Sequence, residues 1–322
     1  MIPSRFSEKF VERSLQIFRL QFNGNTIYRE FCMHIGRTPN SVAELRDIPF
    51  LPIEFFKTQK IYFGEKQPEM VFKSSGTTNT KNRSSHFIDS AKRYRESIRA
   101  GFTNFFSDEK LPLKLFALLP GYLENDESSL IYMIEALKDM GLVELKGYYL
   151  RDYEKLYADI QAELSGKSRV VLCGVSFALL DFLDLFQPDL SGHIVMETGG
   201  MKGRRRELLR SELHDLLQKG FNVNQVYSEY GMTELMSQAY SKGKGIFTPS
   251  PTMGILVRDV YDPFTIVNDE ASGALNIIDL SNKYSCSFIA TQDLGRVFSN
   301  GNFEVLGRTD HSDVRGCNLM AI

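Results

Sequence analysis

In "SRFSEKFVERSLQIFRLQF" apolar residues recur every three or four positions, the spacing of one buried helix face, and this predicts a helix near the start of the chain. "TPNSVAELRDI" reads as a second, N-capped helix. Pro49 and Pro52 in "IPFLPIEFFKTQKIYF" break any helix and predict an extended, docked segment. From residue 68 the pattern alternates. "EMVFKSSGTT", "LKLFALLPGY", "RVVLCGVSF", "HIVMETGG" and "NVNQVYSEYGMTE" read as strands running into loops, and "DSAKRYRESIRAGFTNFF", "DESSLIYMIEALKDMG", "ALLDFLDLF" and "MKGRRRELLRSELHDLLQKGF" as the helices between them. Short apolar strands alternating with helices predict an α/β fold with a mainly parallel sheet covered on both faces. After about residue 245 the helical period vanishes, and "MGILVRDVYD", "GALNIIDL", "SFIATQDLGRVF" and "FEVLGR" read as short strands with Gly/Asn/Asp turns. Three regions are therefore expected: an α/β core over 1–245 with an N-terminal helical segment, a β-rich subdomain over 246–310, and a short tail over 311–322.

Composition narrows the partners. Of the 322 residues 43% are hydrophobic and 24% charged, enough for a large core, and the net charge of −2 gives no bulk attraction to nucleic acid or an anionic membrane. No signal peptide is read at the start and no apolar run is long enough to span a bilayer. The four cysteines, Cys32, Cys173, Cys286 and Cys317, show no CxxC pair or zinc spacing, which suits free thiols in a reducing compartment, and a cytoplasmic protein is expected. Cys173 and Cys286 lie in apolar strand patterns and are expected in the core; His34, His193 and His214 are read as structural or surface, and "RRR" at 204–206 as the solvent face of a helix. Cys317 differs: it stands five residues from the last residue, where packing is least expected, so it either closes a core element or has chemistry to do.

Four loops carry candidate chemistry. "KSSGTTNTKNRSS" follows a strand with glycine, hydroxyls and cations, groups that hold a polyphosphate through N–H, O–H and charge, although it is not a Walker loop; it reads equally as a polar turn. "YSEYGMTE" offers an aromatic face at Tyr230, close backbone approach at Gly231, a hydroxyl at Thr233 and a carboxylate for Mg²⁺ at Glu234. In "ATQDLGRV" Asp293 leaves a strand and can accept from ribose hydroxyls, and in "LGRTDHSDVRG" Arg308 can bind ribose or phosphate. His86, just past the first loop, either orients a substrate carboxylate or is a satisfied structural histidine.

The order of these motifs, phosphate loop, Y-G-M-T-E, D-x-G-R and G-R-x-D, resembles the adenylate-forming superfamily of acyl-CoA synthetases, peptide-synthetase adenylation domains and luciferases over residues 71–316. "SGTTNTKNR" departs from the usual S-G-T-T-G-x-P-K-G by lacking the second glycine and the proline, with Lys81 or Arg83 in place of the lysine. "IPFLPIEFFK", "ALLPGYLENDESSLIYM", "LCGVSFALLD" and "RGCNL" are similar to the LuxE-type acyl-protein synthetases, the synthetase subunits of fatty-acid reductase complexes, over nearly the whole length. The resemblance implies the N-terminal domain of an adenylate-forming enzyme, with mainly parallel sheets flanked by helices and a smaller β-rich subdomain. Twelve residues follow Asp310, so the mobile C-terminal lid domain is expected to be absent.

The resemblance also implies a reaction. A carboxylic (fatty) acid is activated with ATP and Mg²⁺ to an acyl-adenylate and transferred to Cys317 as a thioester for an acyl reductase or other acceptor protein. Ser75, Gly76, Thr77, Thr78 and Lys81 would hold phosphates, and Tyr230 and Gly231 the adenine. Thr233 would take the α-phosphate, Glu234 the Mg²⁺, and Asp293 and Arg308 the ribose, with Gly199 and Gly200 of "METGG" nearby. Arg315 and His311 are placed in sequence to lower the Cys317 pKa. Two other readings stand beside this one: a compact ligase using the thiol of coenzyme A or a carrier protein, and a subunit that binds nucleotide or acyl groups without catalysis. Bioluminescence does not follow from the resemblance, and the sequence does not give the chain length of the acid or the oligomeric state.

Overall fold

Ser7 accepts from the amide of Phe10 and opens α1 (Glu8–Gly24), whose buried face is Val11, Ser14, Ile17, Phe18 and Gln21, the face that the apolar spacing predicts. Asn25 caps α2 (Thr26–His34) in the same way. This computed structural model describes residues 5–74, 83–110, 112–120, 127–199, 205–206 and 208–309. The helix expected in "TPNSVAELRDI" shrinks to a single 3-10 turn, Leu45–Asp47: the Asp47 carboxylate caps its start by taking the amides of Ala43 and Glu44, and Ile48, extended at ψ 125° ahead of Pro49, ends it. Beyond it come β1 (Leu51–Pro52) and the one-turn α3 (Phe55–Thr58).

An antiparallel pair, β2 (Met70–Lys73) and β3 (Ser85–Ile88), stands apart from the main sheet and carries the serine/threonine/glycine loop between its strands. The main sheet begins with β4 (Leu113–Leu118), β5 (Val143–Tyr149), β6 (Val170–Val175), β7 (Ile194–Thr198) and β8 (Val226–Tyr230), parallel throughout in the order β5-β4-β6-β7-β8. α4 (Ala91–Phe105) precedes β4, and α5 (Ser129–Asp139), α6 (Tyr153–Leu164), α7 (Ser176–Leu185) and α8 (Arg210–Phe221) run between the strands. Alternation along β8 shows the two covered faces: Tyr227 stacks on Phe106 just past α4, while Ser228 turns to His214 on α8. β3, β5 and α6 are additions to the elements read from sequence. Arg205 corrects one of them: it stands outside any helix and pairs with Asp181 and Asp184 of α7.

Past β8 the direction of pairing changes. β9 (Ala239–Ser241), β10 (Ile246–Pro249), β11 (Met253–Arg258), β12 (Ser272–Asp279), β13 (Phe288–Val297) and β14 (Phe303–Arg308) are antiparallel to their neighbours and extend the same sheet in the order β8-β9-β10-β14-β13-β12-β11. β1 adds a parallel pair to β13, Leu51 opposite Ile289, so the docked segment around Pro52 is a strand in a twelve-stranded sheet. Two cores result. One lies under the parallel strands and holds Phe116, Phe182 and Cys173; the other joins the N-terminal helices to the antiparallel strands and holds Phe18, Tyr28, Phe288, Cys32 and Cys286. Cys173 and Cys286 are thus core residues, as their strand patterns predict. No described helix is long and apolar enough to cross a membrane.

Candidate nucleotide and acid site

The pairing reverses between β8 and β9, and the loop at that junction is the Gly231–Gln238 stretch of the Y-G-M-T-E motif. The loop leaves the carboxyl end of the parallel strand β8, the edge of an open α/β sheet outside which ligands bind. Tyr230, the last residue of β8, sends its hydroxyl to Asp293 Oδ2 at 2.7 Å and sets its ring against Phe303 and Phe247. The register of β13 on β14 places Asp293 opposite Arg308, whose Nε lies 3.4 Å from Asp293 Oδ1. Burial raises the Asp293 pKa, against the Tyr230 hydroxyl and the charges of Arg308, Arg210 and Arg258. Three residues from three motifs therefore meet at one carboxylate. Gly295 of D-L-G-R has a backbone reason as well: a Cβ there would collide with the Glu304 carbonyl of β14.

The other half of the motif is held from below. His86 on β3 is fully buried, its Nδ1 2.7 Å from the Thr233 carbonyl and its Nε2 2.9 Å from Asn282 Oδ1. The Asn282 amide donates to the Glu234 carbonyl at 2.9 Å, which leaves its oxygen facing the ring. Both ring nitrogens thus meet acceptors, which the ring satisfies together only as imidazolium; burial lowers the His86 pKa, and these two bonds oppose that shift. With both nitrogens engaged, His86 ties the β2–β3 hairpin to Thr233 and Glu234. Asp279 secures the next turn, its carboxylate accepting from the Met236 and Ser237 amides at 2.8 and 3.0 Å, the Ser237 hydroxyl at 2.7 Å and the Ser281 amide at 3.1 Å.

Glu234 is a buried carboxyl whose pKa burial raises, against a hydrogen bond from Ser84 and the charges of Lys57 and Arg308. The described residues contain no group of three or more acidic, histidine or cysteine ligands. A single desolvated carboxylate beside an expected polyphosphate still fits Mg²⁺, which keeps several waters and commonly takes one or two carboxylates with substrate phosphates. Glu234 would hold the ion, and the ion would supply charge neutralisation at the phosphates.

Ser75, Gly76, Thr77, Thr78, Lys81, Gly200, Asp310, His311, Arg315 and Cys317 lie outside the described residues. At the loop's flanks, the Arg83 guanidinium donates to the carbonyls of Ser74 and Lys73, the Ser84 amide donates to Ser74 Oγ at 3.0 Å, and Lys73 pairs with Glu127 at 2.7 Å. Gly199 follows β7 with φ +68°, and its carbonyl accepts from Ser176 Oγ at 2.9 Å. Asn282, Asp279 and Glu229 were not read from sequence as site residues. Asp279 ends β12 and Asn282 follows it, ordinary polar residues that only the fold carries to the motif; Glu229 lies inside "YSEYGMTE", so its position was visible although its contacts were not.

No family model and no curated protein matches the chain. Solved structures do. ATP-bound MatB from Rhodopseudomonas palustris superposes with a TM-score of 0.56 at 15% identity, over 74% of this chain and 47% of that one. 2-Hydroxyisobutyryl-CoA ligase with 2-HIB-AMP and CoA superposes with a TM-score of 0.71 at 12% identity, over 94% of this chain and 68% of that one. The chain thus spans about half the length of MatB and two thirds of that of the second ligase. The fold is shared with these ligases over the superposed residues.

Proposed function

We propose that the protein activates a carboxylic acid of the fatty-acid class with ATP and Mg²⁺, and then carries the acyl group on Cys317 as a thioester. The carboxylate oxygen bonds to the α-phosphorus and the bond to pyrophosphate breaks; the Cys317 thiolate then bonds to the acyl carbon and AMP leaves. In this reading the segment from Ser75 to Lys81 holds phosphates, Tyr230 and Gly231 line the adenine, Thr233 takes the α-phosphate, and Asp293 with Arg308 takes the ribose. The observation that carries the reading is the meeting of Tyr230, Asp293 and Arg308 at the sheet's junction, with Thr233 and Glu234 anchored beside it. The described thiols add support. Cys32, Cys173 and Cys286 are all buried, and burial pushes Cys32 and Cys173 up to about 12 and Cys286 higher, so none is a ready nucleophile. An acyl reductase or other acceptor protein in the cytoplasm would receive the acyl group.

A second reading has its own support: the superposed 2-hydroxyisobutyryl-CoA ligase holds CoA, so an external thiol is the alternative acceptor. Intact-mass spectrometry after incubation with Mg²⁺, ATP and a panel of acids, without CoA, separates the two. A hydroxylamine-labile adduct on wild type and none on Cys317→Ala is expected. Adduct on both proteins overturns the Cys317 step, and pyrophosphate release only on adding CoA or a carrier protein moves the assignment to the external thiol. Silence in every arm leaves a nucleotide- or acyl-binding subunit.

A further inference from the structure

The docked segment "LPIEFFK" has no part in the nucleotide scheme above. Its strand β1 lies parallel to β13 with Leu51 opposite Ile289 and Pro52 opposite Ala290, and the Ile53 amide donates to the Ala290 carbonyl at 3.0 Å. The same offset, carried two residues further, sets Glu54 level with Gln292. There the Gln292 side-chain amide donates to Glu54 Oε1 at 2.5 Å. The other end of that amide meets the site. Gln292 Oε1 accepts from Arg308 Nη2 at 3.3 Å, and the Gln292 carbonyl accepts the Thr309 amide at 2.7 Å and the Thr309 hydroxyl at 3.1 Å. The next residue, Asp293, meets Arg308 Nε at 3.4 Å. Two consecutive residues of β13 therefore hold one guanidinium at two points.

Two points matter because the Arg308 side chain is 67% exposed. A long exposed side chain keeps much of its rotamer freedom, and a single contact to Asp293 would leave the plane of the guanidinium free to turn. The second contact needs the Gln292 amide in one orientation, since its NH₂ end would set donors against donors. Glu54 decides the orientation: an ionised carboxylate only accepts, so the NH₂ turns to Glu54 and the oxygen to Arg308. The charge of Glu54 also acts on Arg258, but that guanidinium is held by the Leu275 and Thr291 carbonyls and the Asn276 side chain, so β11 does not depend on Glu54. We propose that Glu54 is a positioning residue: through Gln292 it fixes the Arg308 guanidinium for the ribose hydroxyls of ATP, so that the N-terminal segment sets nucleotide affinity without touching the nucleotide. The proposal rests on the reading that Arg308 holds the ribose, and extends that site to a segment outside the four candidate loops.

The test is calorimetric binding of ATP and of 2′,3′-dideoxy-ATP, each with Mg²⁺, to wild type, Glu54→Ala, Glu54→Gln, Arg308→Ala and the Glu54→Ala/Arg308→Ala double variant. Wild type is expected to prefer ATP by at least about tenfold, because a site that bonds a substrate hydroxyl rejects the analogue without it. Glu54→Ala is expected to weaken ATP by roughly threefold to tenfold, the scale of one net hydrogen bond, and to leave the dideoxy nucleotide within about twofold of wild type. With Arg308 already replaced, the same substitution is expected to have no further effect. Glu54→Gln keeps an oxygen for the Gln292 amide; it is expected to fall between wild type and the alanine variant, and it serves if that variant does not fold. Equal weakening of both nucleotides, or an undiminished loss in the double variant, marks a merely structural Glu54 and overturns this proposal alone, as does unchanged ATP affinity. A wild type that binds both nucleotides equally overturns the ribose role of Arg308 and this inference with it. No ATP binding by wild type overturns the adenylation reading as a whole.

Discussion

The two halves of the sheet are built on different terms. Under the parallel strands the core is mainly aliphatic and aromatic, with Phe116, Leu172, Phe182 and Phe221 fully buried, and among its buried polar groups Glu197, Thr198, His214 and Ser228 lie on β7, β8 and the helix beside them. The antiparallel half has its own apolar core and, inside it, a belt of buried polar groups: Gln21, Asn25, Asp279, Asn282, Ser287 and Thr291. Gln21 of α1 reaches the carbonyls of Asn282 and Lys283 and exchanges hydrogen bonds with Ser287, so the first helix is tied into the network that also holds His86, Thr233 and Glu234. An apolar core tolerates exchange of side chains of similar volume. A polar network does not, since every donor left without its partner is costly at low dielectric. The lesson is one of location: the site hangs on the half whose interior has the least freedom to change.

Substitutions in each half can break that contrast. Phe182→Ala in the parallel core should cost about 3–5 kcal/mol in urea unfolding. It should leave the ATP affinity of the molecules that remain folded unchanged, and a weakened affinity would show that the halves are coupled. Asp279→Ala strands the Met236, Ser237 and Ser281 donors and should cost about 3 kcal/mol or more. Here ATP binding, read by calorimetry, should be lost even under conditions where circular dichroism shows a folded protein.

A smaller loss is expected at the hairpin. His86→Ala should cost about 2 kcal/mol and weaken ATP, while Asn282→Ala should weaken it in the same direction by releasing both His86 and the Glu234 carbonyl. If either variant binds ATP as wild type does, the hairpin is not positioned by this tie. Glu229 gives a pH signature. Its pKa is about 7 in the fold against an ordinary 4.5, so its contribution to stability is complete below about 4.5, declines as pH rises through 7, and is gone above. The groups that face it are Glu197, Cys173, Tyr94 and Tyr240, and of these Cys173, Tyr94 and Tyr240 have raised pKa values and stay neutral across that window. Glu229→Gln should flatten the melting-temperature profile between pH 4.5 and 7, and an unchanged slope would place the titration elsewhere. At the bottom of the scale, Lys138→Ala on the surface of α5 breaks only an exposed pair with Glu135 and should leave the urea midpoint where it is in wild type.

Much of this fold was legible because hydrophobic period is local information. The face of α1, the strand–helix alternation and the loss of helices after about residue 245 all follow from spacing within a dozen residues. The turn at Leu45–Asp47 is shorter than the N-capped helix expected there, because the cap forms but Ile48, held extended by Pro49, leaves no room for a second turn. The motif residues Tyr230, Asp293 and Arg308 were legible as types, and the register of β13 on β14 brings them together. Asn282 and Asp279 were not, because a buried asparagine and a surface one are the same letter until the partner arrives from elsewhere in the chain.

That distance along the chain has a consequence for synthesis. Gln21 meets Ser287 only after 266 further residues have been made, and β1 finds its place beside β13 at the same stage. On a ribosome adding roughly 5–20 residues per second, the first helices wait roughly ten to fifty seconds without the surface they are shaped for. The parallel strands β4–β8 can assemble during that interval from segments that lie next to one another in the chain. A nascent chain arrested before Phe288 is therefore expected to show a protease-resistant middle and a cleavable beginning, and resistance at α1 in that arrested chain would contradict this order. The part of the molecule that emerges first would be the last to become native.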